Sequence, residues 1–422
     1  MIRISENTSF KIKDINAFKQ KALIWANKFD TFCVLDSNFD SIYQYNSFEW
    51  TLAADALSIL EDSNFESLNK FKKEKNVFGY FAYDLKNEIE DLISENKDKL
   101  KTPLLYFFEP RYLLKIQGDS LSINRNYPEA FHIFDSINNI EILNTKKANI
   151  YLDLNVSKQE YIAKVKQIQE HIIAGDIYEL NYCVEYFKEN IELKSIDVFQ
   201  RINAKTKSPF SAYLKFKSFE ISCFSPERFL KKDGNKLISQ PIKGTIKKST
   251  DKEENEKLKL ELQNDIKERA ENVMIVDLVR NDLTKSAKTG SIKVEELFKI
   301  YEFETINQMI STVVAEVKEE ITETDIIKNA FPMGSMTGAP KIRAMQIIEA
   351  IEKQKRALYS GAIGYFDTKN NFDFNVVIRT LIYDKVLKYL SLQVGGAITY
   401  DSIPEKEWQE TKTKVKAIVE EL

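Results

Sequence analysis

Histidine is nearly absent from this chain: of 422 residues only His132 and His171 carry an imidazole. That removes the usual base of nucleophilic triads and most histidine-metal centres. Chemistry here has to run on Glu, Asp, Lys and Tyr. Cysteine is scarce too. Cys33, Cys183 and Cys223 are scattered and form no CxxC pair, which excludes a disulfide framework or zinc site and suggests a reducing, cytoplasmic setting. No sign of charge dominates, since 61 basic and 64 acidic residues leave a net charge of -3. There is no global field to attract nucleic acid or an anionic membrane, so neither is expected as a partner. No apolar run approaches a membrane span, and Met1 to Asn7 lacks the apolar core of a leader. A soluble, unprocessed protein is expected.

What remains is ordinary globular material, 43% hydrophobic and 30% charged, enough for a large core. Residues 1-145 alternate short apolar strands (Phe32 to Leu35, Val77 to Asp84, Leu104 to Phe108) with polar segments. They read as an N-terminal region packed on a catalytic region, 146-422, with the boundary near residue 145. Leu35 to Asn38 reads as a strand-closing turn.

Three features carry chemistry. The first is Ser225-Pro226-Glu227-Arg228-Phe229, then a turn at Asp233-Gly234, then Gln240-Pro241-Ile242-Lys243-Gly244-Thr245. It reads as a strand, a tight turn and a returning strand that bring Glu227 near Lys243. Such a lysine beside a glycine suits a close approach of ligand or backbone, although an edge-strand ion pair explains it as well. The second is a long charged helix expected over Asp251 to Arg280. There Glu268 and Glu271 share a face with Met274, Ile275 and Leu278. Glu407 and Glu410 repeat the spacing on a C-terminal helix expected to be capped by Ser402, with Pro404 in its first turn. Two such pairs can hold Mg²⁺; each alone is equally a solvated face. The third is Phe331-Pro332-Met333-Gly334-Ser335-Met336-Thr337-Gly338-Ala339-Pro340-Lys341, leading into a helix with Ile342, Met345, Ile348 and Ile351 as its stripe. It suits an anion at a helix start or a plain capped turn.

Further helices are expected from Ser157 to Ala174, ended by Gly175, and over Asp197 to Lys205. Strands are expected at Ile177 to Tyr182, Phe210 to Phe216 and Phe374 to Thr380. In the last, Arg379 follows an apolar run and is either an edge charge or a carboxylate clamp.

Together these motifs resemble the chorismate-utilising enzymes, most closely the component I branch that makes aminodeoxychorismate. The matching stretches are SPERF (225-229), PIKGT (241-245), ERAENVMIVDLVRNDL (268-283), FPMGSMTGAPKIRAM (331-345), SGAIGYF (360-366), IRTL (378-381), GGAITYDS (395-402) and EWQET (407-411). The resemblance implies an α+β fold of two antiparallel sheets packed face to face and flanked by helices, with the active site between them. It implies Glu271 and Glu410 as Mg²⁺ ligands, with Glu268 and Glu407 acting through water. Tyr365, Arg379, Thr337, Lys414 and the backbone of Gly395, Gly396 and Ala397 are implied substrate contacts.

Within that family, enzymes that add water to chorismate carry a lysine at the position of Glu179, so hydration is not expected. Lys243 matches the lysine of aminodeoxychorismate synthases, where anthranilate synthases have alanine. The expected reaction joins chorismate and ammonia, with Lys243 of lowered pKa as covalent nucleophile and Glu227 as acid or base. The alternatives are anthranilate synthase component I and a non-catalytic protein on the same scaffold. Gln308 stands where the family has histidine, which casts doubt on a histidine-dependent pyruvate elimination. No cysteine lies in a glutaminase nucleophile elbow, so ammonia is expected from a glutamine amidotransferase subunit or free ammonium. No fused lyase domain is expected.

Overall fold

The computed structural model describes residues 7-38, 45-62, 64-142, 147, 149-304 and 306-422. The boundary expected near residue 145 lies outside the described residues. Among the described residues every pairing between the protein's strands is antiparallel, which permits one polar and one apolar face per sheet. One series runs, neighbour to neighbour, through Trp50–Glu61, Phe32–Asp36, Phe210–Phe216, Phe219–Ser225, Thr380–Asp384, Tyr389–Ile398 and Glu179–Lys188. A second runs through Val77–Phe81, Ala362–Phe366, Phe372–Asn375, Arg228–Asp233, Lys236–Gln240, Ile306–Glu316 and Lys293–Glu302. The strand Leu105–Gln117 belongs to both, pairing with Trp50–Glu61 on one side and Val77–Phe81 on the other. The two sheets are therefore one hydrogen-bonded network seamed along a single strand.

The sheets face each other across a shared core in which Leu35, Leu214 and Ile221 from the first meet Tyr80 and Ile363 from the second. Helices cover the outer faces. Tyr161 and Ile168 of Lys158–Ile173 and Trp408 and Val415 of Pro404–Val419 pack on Tyr182, Val184, Leu392 and Val394. Ile275 and Val279 of Ile266–Thr284 pack on the second sheet with Leu237, Val313 and Phe374. Each such side chain contributes about 1.5–3 kcal/mol by leaving water. The fold is α+β, with the helices expected on the flanks. Among the described residues no helix is long and apolar enough to cross a membrane.

Several boundaries differ from the sequence reading. The helix expected over Asp251 to Arg280 is two, Lys252–Asn264 and Ile266–Thr284. Asp265, between them, has extended backbone and accepts a 2.8 Å bond from the Glu268 amide, restarting the helix as its N-cap. The strand expected at Phe374 to Thr380 ends at Asn375, and pairing resumes at Thr380. Ser402 does not cap the last helix; its hydroxyl donates a 2.8 Å bond to Glu407 Oε1. The strand expected at Ile177 to Tyr182 starts two residues later and runs to Lys188. Leu35 to Asn38 does close its strand, with Asp36 Oδ1 accepting from Lys19 Nζ at 2.8 Å and from the Asn38 amide at 2.9 Å.

Candidate active site

Pro226 and Glu227 occupy the two residues in which the chain leaves the first sheet and joins the second. Phe219–Ser225 pairs with Thr380–Asp384 before them, and Arg228–Asp233 pairs with Phe372–Asn375 after them. The proline, lacking an amide donor, suits this break in the ladder. Beside the crossing lies a cavity of about 580 Å³, lined among others by Glu227, Lys243, Glu268, Glu271, Gln308, Arg379, Gly395, Gly396, Ala397, Glu407, Glu410 and Lys414. Residues more than 180 positions apart thus converge where sequence motifs placed them separately.

Glu227 is buried, and its Oε1 accepts a 2.8 Å bond from Ser335 Oγ. Burial pushes its carboxyl up to about 7, against the smaller opposing pull of Ser335, Lys243 and Arg379. It can therefore hold or release a proton near neutrality.

Lys243 Nζ lies 3.8 Å from Glu179 Oε2 and 3.9 Å from Glu271 Oε2, on a side chain 12% exposed. The lowered pKa expected for it is not found. Burial acts to lower it, but Glu179, Glu271, Glu227 and Glu268 together outweigh burial and hold it above the ordinary lysine value. Glu179 is itself shifted upward by burial. Gly244 follows with φ +87°, and a β-carbon there would come 3.2 Å from Glu268 Oε2, so the glycine both permits the turn and makes room for that carboxylate.

The four glutamates read as metal ligands come from two helices and line this one cavity. Burial, with Glu271 next, raises Glu268; burial, opposed by Ser402 and reinforced by Glu410, raises Glu407. For Glu410 burial acts to raise the carboxyl, but Lys414, 2.7 Å away, together with Lys267 and Lys243 outweighs it and holds the carboxyl low. An oxygen-only set under mutual repulsion suits a hard divalent cation. It is not preassembled: among the described residues no three acidic, histidine or cysteine side chains form a ready metal cluster. Ammonium groups stand in instead, with Lys267 Nζ 3.7 Å from Glu271 Oε1 and Lys414 bound to both Glu410 and the Gly395 carbonyl.

Arg379 sits between two strands with φ +52°, a left-handed conformation that costs a non-glycine residue on the order of 1–3 kcal/mol. No ion pair holds its guanidinium among the described residues; Glu227 is the charge acting on it. A strained arginine aimed into a cavity suits a carboxylate ligand.

Two expected contacts lie elsewhere. Tyr365 does not line the cavity. It packs against the core shared by the two sheets, its ring 5.7 Å from Phe78 and 6.0 Å from Phe48. Tyr359, six residues earlier and just before the strand, lines the cavity in its place. Thr337 is fully buried, its hydroxyl bonding back to the carbonyls of Met333 and Gly334. Ser335 of the same turn faces the cavity. Gly395 makes room for this arrangement: a β-carbon there would lie 2.3 Å from Asn181 Oδ1 and 2.9 Å from Tyr359 Oη.

A family model described as "chorismate binding enzyme" matches residues 11–420. The chain belongs to the chorismate binding enzymes. It is 39% identical over 268 residues to aminodeoxychorismate synthase component 1 of Escherichia coli, covering 64% of this chain but only 58% of that relative. It is 31% identical to anthranilate synthase component 1 of Aquifex aeolicus, covering 81% of this chain and 73% of the relative. Among solved structures, anthranilate synthase component I from Streptococcus pneumoniae superposes with a TM-score of 0.77 at 24% identity, over 87% of this chain and 91% of that one. The menaquinone-specific isochorismate synthase of Escherichia coli gives 0.76 at 15% identity, over 98% and 94%. At those identities chorismate binding enzymes share the fold, and chemistry has to be read from the cavity itself.

Proposed function

We propose that this chain converts chorismate and ammonia to 4-amino-4-deoxychorismate, the precursor of para-aminobenzoate and hence folate, in a Mg²⁺-dependent reaction. The observation that carries the reading is the meeting of Lys243 and Glu227 in the lining of one cavity, an amine and a carboxyl able to hold a proton near neutrality. The kinship with aminodeoxychorismate synthase component 1 supports it.

Lys243 rests as an ammonium ion, so it has to lose a proton before it can attack. Glu179 Oε2 is the nearest acceptor, at 3.8 Å. The freed amine adds to ring carbon C2, the double bonds shift, and the C4 hydroxyl departs as water with the proton of Glu227. Ammonia then adds at C4, returns a proton to Glu227, and Lys243 leaves C2 as the amine. Chorismate and NH₃ become the product and water. Arg379 and the backbone of Gly395 to Ala397 hold the substrate's carboxylates, while Tyr359 and Ser335 shape the wall. Mg²⁺ held by Glu271 and Glu410, with Glu268 and Glu407 outside them, would orient and neutralise the ring carboxylate. Ammonia would come from a glutamine amidotransferase subunit or from free ammonium.

The test is direct: incubate the chain with chorismate, Mg²⁺ and ammonium, and identify the product. Aminodeoxychorismate without pyruvate is expected. Anthranilate with stoichiometric pyruvate would instead support the kinship with anthranilate synthases.

A further inference from the structure

The Glu179–Lys188 strand is covered on both faces over most of its length, yet one face is polar. Leu180, Tyr182 and Val184 enter the helical core, as a buried strand's side chains do. The alternate residues are Glu179, Asn181, Cys183 and Glu185, at 2%, 7%, 7% and 6% exposure. The neighbouring strand extends the stripe by setting Gln393 opposite Glu185. A buried polar group without a hydrogen bond costs about 1–3 kcal/mol. Glu179 Oε2 and Asn181 Oδ1 have none among the described residues. Packing alone gives no reason for such a stripe.

The stripe joins two cavities. At its inner end Asn181 lines the active-site cavity and Glu179 faces Lys243. At its outer end Glu185 lines a second cavity of about 700 Å³. Gln393 borders both. Its Oε1 accepts a 3.5 Å bond from the Cys183 thiol, and its Nε2 donates a 3.3 Å bond to the Lys355 carbonyl. The partition is thus about one side-chain layer thick.

A track of this kind suits a solute the size of water that both donates and accepts hydrogen bonds. The reaction proposed above consumes one such molecule. Resting on that reading, we propose that the stripe is the route by which ammonia reaches the active site, with the cavity at Glu185 as antechamber and the Cys183–Gln393 contact as throat. Glu185, whose Oε1 already accepts a 2.5 Å bond from Ser391 Oγ, the Gln393 oxygen and the unbonded Asn181 Oδ1 offer acceptors in sequence to the N–H groups of ammonia. The route runs along one face of the sheet and leaves the open side of the active-site cavity to chorismate.

The test is steady-state kinetics of the full chain with ammonium chloride as the only nitrogen source. Cys183→Met, which fills the throat, and Gln393→Leu, which removes its polar group, should each raise the ammonium KM about tenfold or more, with rate recovering at saturating ammonium. Cys183→Ser, small and polar, should match the wild type. The chorismate KM of Cys183→Met should stay within about twofold, which separates a blocked route from a damaged site. An ammonium KM unchanged in both Cys183→Met and Gln393→Leu, with native circular dichroism, overturns the proposal while leaving the reaction intact. Wild-type turnover of chorismate that does not depend on ammonium overturns both.

Discussion

Ser335 Oγ donates its 2.8 Å hydrogen bond to Glu227 Oε1 across the gap between a glycine-rich turn and the crossing point of the two sheets. Residues 108 positions apart are thereby fixed as one unit, and the bond favours the charged carboxylate. Burial is the stronger influence and holds the group near 7.

That value gives a pH dependence with a definite sign. Below about 7 the acid form of Glu227 dominates, and above it the carboxylate does. A step that spends the acid's proton slows as pH rises through this value. Free ammonia grows in the opposite direction, so rates have to be compared at constant free NH₃. Under that condition kcat should fall with rising pH above 7. Glu227→Gln should be slower by about 10²-fold or more and should lack this limb. A wild-type profile flat from pH 6 to 9 would remove Glu227 from the role of acid.

Lys243→Met keeps the apolar stem and deletes the amine. Chorismate should still bind within about tenfold, roughly 1.4 kcal/mol, as measured by calorimetry or fluorescence, while product formation collapses. Glu179→Gln should leave chorismate KM nearly unchanged and lower kcat by about 10²-fold, because the lysine loses its nearest proton acceptor. Intact-protein mass spectrometry of the wild type with chorismate and no ammonia should show an adduct at Lys243. Aminodeoxychorismate production by the methionine variant near the wild-type rate would reduce Lys243 to an electrostatic residue.

Glu410→Gln should abolish turnover without unfolding the chain, since Glu410 is partly open to the cavity and supports no core packing. EDTA should do the same to the wild type, reversibly on adding Mg²⁺. Activity that survives both treatments would refute the metal assignment.

The isolated chain should use ammonium and ignore glutamine. Cys33, Cys183 and Cys223 are all buried, and burial pushes every one of these thiols up, Cys223 to about 11, far from the thiolate that a glutaminase nucleophile requires. Glutamine-dependent turnover by the pure chain would contradict this.

Sequence disclosed the site best where a motif depends on local geometry. The Asp233-Gly234 turn, with Gly234 at φ +56°, brings back Lys236–Gln240, and Lys243 follows on the next strand, Ile242–Lys247. Three-residue spacing placed both glutamates of each pair on one cavity. It failed where the answer lies in a long-range pairing. Tyr359 and Tyr365 both flank the same glycine-containing stretch, and only the pairing of Ala362–Phe366 between two strands decides which ring meets the cavity. Ser335 and Thr337 share one turn, and burial sorted them. The charge state of Lys243 was illegible because desolvation alone points downward, whereas four carboxylates from distant segments reverse the sign. Glu179 signalled only the absence of a lysine, and its contact with Lys243 emerged with the strand's register.

Gly395 also constrains the order in which this lineage can change. A methyl group there would lie 2.3 Å from Asn181 Oδ1, 2.9 Å from Tyr359 Oη and 3.0 Å from the Tyr182 carbonyl oxygen, so alanine at 395 is barred while these neighbours stand. Asn181 would have to shrink first, and that step alone would disturb the cavity wall before anything was gained. Substitution paths through this corner therefore begin at Asn181, and an Asn181→Gly background should ease Gly395→Ala, with Tyr359 Oη and the Tyr182 carbonyl still crowding the new methyl group.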